Sequence, residues 1–552
     1  MPEGLLQIED CLDADGGIVL PPGVTLVSLI ERNIANVGDA VAYRYLDFSG
    51  SDDGRAVELT WAELGQRMRA VAARVQRIAA RGDRVAILAP QGLDYIVGFF
   101  AALKAGTIAV PLFAPELQGH AERLDTALRD ARPTAVLTTS ATVDGVRGFL
   151  AGRDVGADEP AVLVIDEIPD SAGDAFTAVD LDVDDVSHLQ YTSGATRAPV
   201  GVEITHRAVG TNLIQMILSI DLLDRNTHGV SWLPLYHDMG LSMIGFPAVY
   251  GGHATLLSPT AFIRRPQRWI RALSAGSRIA RVVTAAPSFA YEYTAQRGRP
   301  GPDDDIDLRN VVMIIGSEPV SMAAIEAFTE VFAPHGLPRT AIKPSYGIAE
   351  ATLFVSTIAP SAHAQETHFD RALLSKRRAV PVAAGQDTAV PQVGCGQVAR
   401  SQWAVIVDPA TASEVGDGAV GEIWLRGANV AHRYWGRPGE SGATFGARLR
   451  GRSSCGSHAA GAPEDAEFFR TGDLGTYVNG DLYVTGRLAD VITIDGADHY
   501  PHDIENTVAQ ASPIVRRGYA AAFTAPADAG ERLVIVAERA SGTKKLDQAP
   551  EI

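Results

Sequence analysis

Short, almost wholly apolar runs alternate with helix-length segments through the first two-thirds of the chain, and few folds accommodate that pattern. RVAILA at 84–89 reads as a buried strand. A helix over Leu93–Lys104, ended by Gly106, leads to a strand at 108–112. A charged helix over Ala121–Ala131 and strands at 134–139 and 161–166 follow. A strand apolar at every position is covered on both faces, which calls for a parallel sheet with helices on either side. The alternation resumes with a helix at 208–219, strands at 230–233 and 254–257, a helix at 266–275 and a strand at 280–285. A helix at 289–295, a strand over Val311–Ile315, a helix at 323–332 and a strand at 340–344 complete it. Residues 24–80 give amphipathic helical segments, such as 64–78. The expectation is an α/β fold class: a large N-terminal domain of two doubly wound α/β subdomains. From about Gln397 the runs shorten (403–407, 421–425, 481–484, 491–494), which predicts a β-rich subdomain and then a small α+β C-terminal domain. The Gly-, Ser- and Ala-rich stretch 441–464 reads as a surface loop.

At 552 residues the chain exceeds what one core organises. Its formal net charge of −18 argues against a general nucleic-acid binder. Three widely spaced cysteines, Cys11, Cys395 and Cys455, show neither metal spacing nor a disulfide framework, which suits a reducing cytoplasm. The acidic N-terminus has no basic leader, and the longest apolar stretch, 95–114, carries Lys104, Gly106 and Pro111 and does not read as a membrane span. A cytoplasmic protein is expected.

Between the two blocks lies LQYTSGATRAPVGVEITH, residues 189–206. A strand there runs into Thr192, Ser193, Gly194, Ala195 and Thr196, then Arg197. Small hydroxyl residues and glycine let backbone N–H groups approach a phosphate closely, and Arg197 adds a fixed cation. The pattern is not a Walker loop, and an ordinary polar hairpin has the same composition. WLPLYHDMG (232–240) ends a strand with His237 beside Asp238; a histidine there can position a carboxylate or phosphate, and Asp238 equally well caps the next helix. Ser345-Tyr346-Gly347-Ile348-Ala349-Glu350 offers an aromatic ring and a carboxylate suited to a divalent cation, or a helix start. Gly316-Ser317-Glu318-Pro319, Arg470-Thr471-Gly472-Asp473 and Gly486-Arg487 are common turn compositions when each stands alone. Gly394-x-Gly396-x-x-Ala399 imitates a dinucleotide fingerprint but lacks a following helix.

The succession of these segments, with Gly-Glu-Ile-Trp at 421–424, resembles the adenylate-forming superfamily of acyl and aryl ligases over nearly the whole chain. Arg197 and Val200 in the loop, WLPLYHDMGL, and the extra segment at 361–391 resemble the fatty acyl-AMP ligases. KPSYGIAEATLFVST and SQWAVIVDP are most similar to the mycobacterial long-chain ligases that activate meromycolic acid. The resemblance implies an AMP-binding domain at 1–485, with an insertion near 361–391, and part of a C-terminal domain at 486–552. In relatives the insertion is thought to restrain the C-terminal lobe and disfavour CoA. The implied activity joins a fatty acid to ATP as acyl-AMP, with Mg²⁺, for transfer to an acyl carrier protein or polyketide synthase. By the same resemblance, Thr192, Ser193, Gly194, Ala195, Thr196 and Arg197 bind phosphate, and Thr196 and Glu350 lie near Mg²⁺. Gly316, Ser317, Glu318 and Tyr346 line the adenine pocket, Ser345 and Ala349 flank the nucleotide, Asp473 holds ribose, Arg487 reaches ribose or phosphate, and His237 stands where carboxylate meets ATP.

The sequence departs from the superfamily in two places. No Pro-x4-Gly-Lys pattern follows Gly496, Lys544 and Lys545 being poor substitutes for its lysine, and the usual hinge position is Ala489. If the protein ends at Ile552, losing one such preorganised donor is expected to slow adenylation about 10²–10³-fold; a shortened sequence explains the ending equally well. A CoA ligase and a non-catalytic binder of nucleotide or acyl-adenylate are the alternatives from the same residues.

Overall fold

A computed structural model describes residues 4–115, 119–153, 159–192, 199–494, 497–512, 514–527 and 530–540. The chain divides into two compact units. One comprises residues 1–364, 398–402 and 427–446, the other 365–397, 403–426 and 447–552.

The first unit contains two sheets. Across one the strand order is Ala161–Val164, Ala135–Thr138, Arg84–Ile87, Ile108–Pro111, Val186–Tyr191, Gly201–Thr205. All neighbours are parallel except the last pair, which is antiparallel. The expected helices Leu93–Lys104 and Ala121–Ala131 form over those residues. The first ends where predicted: Gly106 sits at φ +80°, a conformation that costs glycine least, and its N–H reaches Leu103 O at 3.0 Å. Val110, Leu124, Leu128, Val136 and Leu189 pack into one core between sheet and helices.

The second sheet orders Phe354–Thr357, Ile342–Gly347, Val311–Ile315, Arg281–Ala286, Thr227–Ser231, His253–Leu257, Val41–Asp47 and Arg55–Thr60. Its middle is parallel and fully buried, as the unbroken apolar runs require. Three of these strands were not expected, the first being Phe354–Thr357, antiparallel to Ile342–Gly347. Val41–Asp47 joins in parallel beside His253–Leu257, and Arg55–Thr60 turns back against it. The strand expected at 230–233 runs instead over Thr227–Ser231.

The second unit is β-rich. Gln402–Asp408, Gly421–Gly427, Glu467–Val478 and Asp481–Arg487 are its main strands. Glu366–Asp370, Pro381–Val382 and Ala389–Val393 form a small antiparallel sheet, whose Phe369 packs with Leu474, Tyr483 and Tyr500. A helix, Pro501–Ala511, and a hairpin, Val515–Ala527 with Gly530–Arg539, come last. The stretch 441–464 is not simply a surface loop. It holds the short helix Pro438–Phe445 at its start, and Ala459 and Ala462 are buried with Trp424 and Phe468. Alanine is small enough to fill gaps in a core, so a composition that reads as loop also suits close packing.

Candidate active site

In the first unit, the ends of several strands bring the candidate residues to one region. Gln190, the penultimate residue of Val186–Tyr191, donates Nε2 to Tyr236 O at 3.0 Å, tying the start of the 192–200 segment to the end of the His237 segment. Thr192 continues the pairing: its N–H reaches Val200 O at 3.0 Å. Ser193, Gly194, Ala195, Thr196 and Arg197 lie outside the described residues.

His237 precedes the helix Asp238–Tyr250 as its N-cap residue, in extended conformation. Asp238 is therefore not the cap: it occupies the first helical position, and its Oδ1 accepts the Met239 N–H at 2.7 Å. Burial lowers the His237 pKa, and the Arg123 guanidinium acts in the same direction against the opposing carboxylate of Asp238. Burial likewise raises the pKa of Asp238. The imidazole is thus held neutral at pH 7. Close backbone packing builds this turn, since a Cβ on Gly240 would lie 1.9 Å from Pro234 O.

Gly316, Ser317, Ser345, Tyr346 and Gly347 line a cavity of about 470 Å³ with Asp238, Met239 and Ser242. Ser317 adopts φ +66°, and its hydroxyl stands 3.6 Å from Met239 Sδ. Ser345 is fixed by hydrogen bonds to Lys343 O at 3.0 Å and Thr357 Oγ1 at 2.8 Å. Beneath it Lys343 sends Nζ to the carbonyls of Ala359, Pro360 and Ala362, and burial brings its pKa down to about 8. Glu318 is not on the cavity wall; its Oε1 accepts the Phe289 N–H at 2.8 Å, at the start of the helix Ser288–Arg297. That is the helix-start role available to any glutamate in such a turn.

Ala349 and Glu350 form a single 3₁₀ turn, Ala349–Ala351. Glu350 is buried, with Tyr434 donating its hydroxyl to Oε1 at 2.8 Å and Ala431 its N–H to the main-chain carbonyl at 2.8 Å. One carboxylate with a further oxygen is a donor set that fits Mg²⁺ shared with phosphates. Groups of three or more metal-type side chains are absent among the described residues.

A second, apolar cavity of about 450 Å³ shares Met216, Asp238, Ser242 and Leu353 with the first. Leu26, Phe99, Phe100, Leu213 and Leu241 are among its lining. The strand-end pocket and the apolar one thus adjoin, with the first turn of Asp238–Tyr250 as part of their common wall.

The AMP-binding enzyme family model matches residues 30–435 of this sequence. The chain belongs to that family. Among AMP-binding enzymes it is 45% identical over 560 residues to the long-chain-fatty-acid–AMP ligase FadD32 of Mycolicibacterium smegmatis, covering 97% of this chain and 88% of that one. It is 38% identical over 520 residues to the 4-hydroxyphenylalkanoate adenylyltransferase of Mycobacterium tuberculosis, covering 93% and 81%. The fold is similar to the fatty acyl-adenylate ligase of Legionella pneumophila solved with acyl adenylate and pyrophosphate. There the TM-score is 0.76 at 28% identity, over 93% of this chain and 86% of that one.

In the second unit of this AMP-binding enzyme, Asp473 and Arg487 face each other across antiparallel strands. Arg487 Nε stands 3.2 Å from Asp473 Oδ1. Arg470-Thr471-Gly472-Asp473 is not a turn between strands but part of the twelve-residue strand Glu467–Val478. Gly472 at φ +72° breaks its regularity, and the Thr471 hydroxyl, which reaches Ile423 O at 2.7 Å, holds the irregular piece in place. Arg123 had no distinguishing sequence signal. It is one charged residue on an amphipathic helix, yet it donates to Thr192 O at 3.2 Å, opposes the rise that burial imposes on the Tyr236 pKa, and adds to the lowering that burial imposes on His237.

Proposed function

We propose that this AMP-binding enzyme activates a long-chain fatty acid as acyl-AMP and delivers the acyl group to the phosphopantetheine thiol of an acyl carrier protein or polyketide synthase, in synthesis of mycolic-type lipids. The carboxylate oxygen attacks the α-phosphorus of ATP; the bond from that phosphorus to the α,β-bridging oxygen breaks and pyrophosphate leaves. In the second step the thiol sulfur displaces AMP from the acyl carbon. Both partners of the first step are anions, so orientation and charge neutralisation are the main tasks.

The observation that carries the reading is the pair of adjoining cavities that share Met216, Asp238, Ser242 and Leu353. An alkyl chain in the apolar one brings its carboxylate toward the wall shared with the strand-end pocket, where Gly316, Ser317, Ser345 and Tyr346 suit a nucleoside. His237, uncharged because it is buried, orients the carboxylate without trapping it as an ion pair. Thr192 and the loop through Arg197 hold phosphates, with Arg123 behind Thr192. Glu350 with Thr196 holds Mg²⁺, which neutralises phosphate oxygens. Asp473 and Arg487 serve the ribose, and Ala349 flanks the nucleotide.

The acceptor is tested directly. With ATP, Mg²⁺ and a C16 acid, the protein is expected to load a holo-carrier protein and leave CoA unacylated. Substantial acyl-CoA would replace the carrier reading with that of a CoA ligase.

A further inference from the structure

In the lining of the apolar cavity, the His188 imidazole keeps a ring nitrogen that no hydrogen bond reaches among the described residues. His188, on the strand Val186–Tyr191, lines that cavity while only 4% exposed. The Ser187 hydroxyl lies 2.8 Å from His188 Nδ1 and 2.9 Å from Ile204 O. A main-chain carbonyl only accepts, so the single hydroxyl proton of Ser187 goes to Ile204, and the Ser187 oxygen must accept from Nδ1–H. That fixes the tautomer and leaves Nε2 as a bare lone pair. Burial, with His206 nearby, brings the His188 pKa down to about 3, so Nε2 stays unprotonated at pH 7. No hydrogen bond reaches Nε2 among the described residues. The neighbouring polar side chains are already engaged. Asn212 bonds Gln215 Oε1 and both main-chain groups of Phe354, Thr352 donates to Asn429 O, and Ser242 donates to Met239 O.

We propose that His188 is a specificity-determining acceptor, and that this enzyme prefers a fatty acid carrying a hydroxyl at the depth where the imidazole edge meets the chain. The proposal rests on the ligase reading and deepens it. A plain alkyl chain covers Nε2 with methylene groups and leaves a buried acceptor unpaired, whereas a hydroxyl donates to it and sits otherwise among carbon. Pockets built to bond a substrate hydroxyl discriminate far more strongly than pockets that differ by a methylene.

The test walks one hydroxyl along acids of equal length and reads kcat/KM for pyrophosphate release. One position is expected to exceed the unsubstituted acid by about tenfold or more, the effect of one buried hydrogen bond. His188→Phe is expected to abolish that preference, bringing the ratio of kcat/KM for the hydroxylated and unsubstituted acids to about one. A flat walk, or a preference that survives His188→Phe, overturns the proposal. A second arm measures the affinity of the original chain for non-hydrolysable acyl-adenylate analogues with and without the favoured hydroxyl, so the answer depends on neither the variant's folding nor turnover. Equal affinities across the series overturn the proposal, and tighter binding of one hydroxylated analogue supports it. If no acid yields acyl-AMP, the ligase reading fails and the analogue arm still decides His188. If every acid does so equally, only the His188 proposal fails.

Discussion

Tyr434 donates its phenolic hydroxyl to Glu350 Oε1 at 2.8 Å, and both side chains are buried. A hydrogen bond to an ionised group contributes about 1.5–3 kcal/mol. Tyr434→Phe is therefore expected to lower kcat/KM for MgATP by roughly ten- to a hundredfold. Glu350→Gln, which removes the charge, is expected to cost more, on the order of 10²–10³-fold. Steady-state kinetics at varied Mg²⁺ checks both. An unchanged Mg²⁺ dependence in Glu350→Gln would remove the residue from the metal site.

Gly240 has no room for a side chain, its Cβ position lying 1.9 Å from Pro234 O. Gly240→Ala must push apart the two arms of the turn that presents His237. It is expected to destabilise the fold by roughly 2–3 kcal/mol, an overpacking cost, and to depress kcat more than substrate affinity. Thermal unfolding and kinetics on the same preparation measure the two effects.

Three buried histidines and the half-buried His253 make stability depend on pH. His188 and His228 have pKa values near 3, His206 and His253 near 4, each lowered chiefly by burial from the ordinary 6.5. Unfolded chains bind those protons first as pH falls, so the stabilisation is complete above about pH 6.5 and declines toward the folded-state values near pH 4 to 3. Each histidine contributes a slope of up to about 1.4 kcal/mol per pH unit within that window. Melting temperature should therefore fall steadily from pH 7 to pH 4.5. His228 and His253 both meet Thr255 Oγ1, at 3.0 and 3.2 Å, and His228→Leu should flatten the profile measurably.

Arg123 reaches Thr192 O at 3.2 Å beside the phosphate-binding segment. Arg123→Ala is expected to raise KM for ATP about five- to tenfold, the scale of one partly exposed charged contact. It should also move the pH–rate profile, because the cation now helps keep His237 unprotonated. Arg123→Lys should recover most of the profile shift. A changed KM with no shift in the profile would limit Arg123 to shaping the loop.

How much of this could be read beforehand depends on where each signal is carried. The helix Leu93–Lys104 was legible to the residue because its composition, its preceding glycine and Gly106 agree. Val41–Asp47 and Arg55–Thr60 were missed because the edge strand Arg55–Thr60 and its neighbour Val41–Asp47 consist mostly of intermediate or exposed residues, with little apolar period to detect. Glu467–Val478 was obscured by Gly472, whose left-handed conformation lies inside a strand and not at its end. The strand-end residues Ser345, Tyr346 and His237 stood out because bulky and polar groups interrupt apolar runs. Glu318 shows the limit of that logic, since a carboxylate in a turn serves a neighbouring helix as readily as a ligand. Arg123 and His188 matter through the neighbours the fold brings to them, which no local pattern records.

The central claim, that the adjoining cavities take a fatty acid and ATP to acyl-AMP, is tested most directly by mass spectrometry of a single incubation with ATP, Mg²⁺ and acids from acetate to C20. The account predicts acyl-adenylate and pyrophosphate in equal amounts, from long acids and not from acetate. Hydrolysis of ATP to ADP and phosphate, or adenylation of acetate in preference to the long acids, would contradict it.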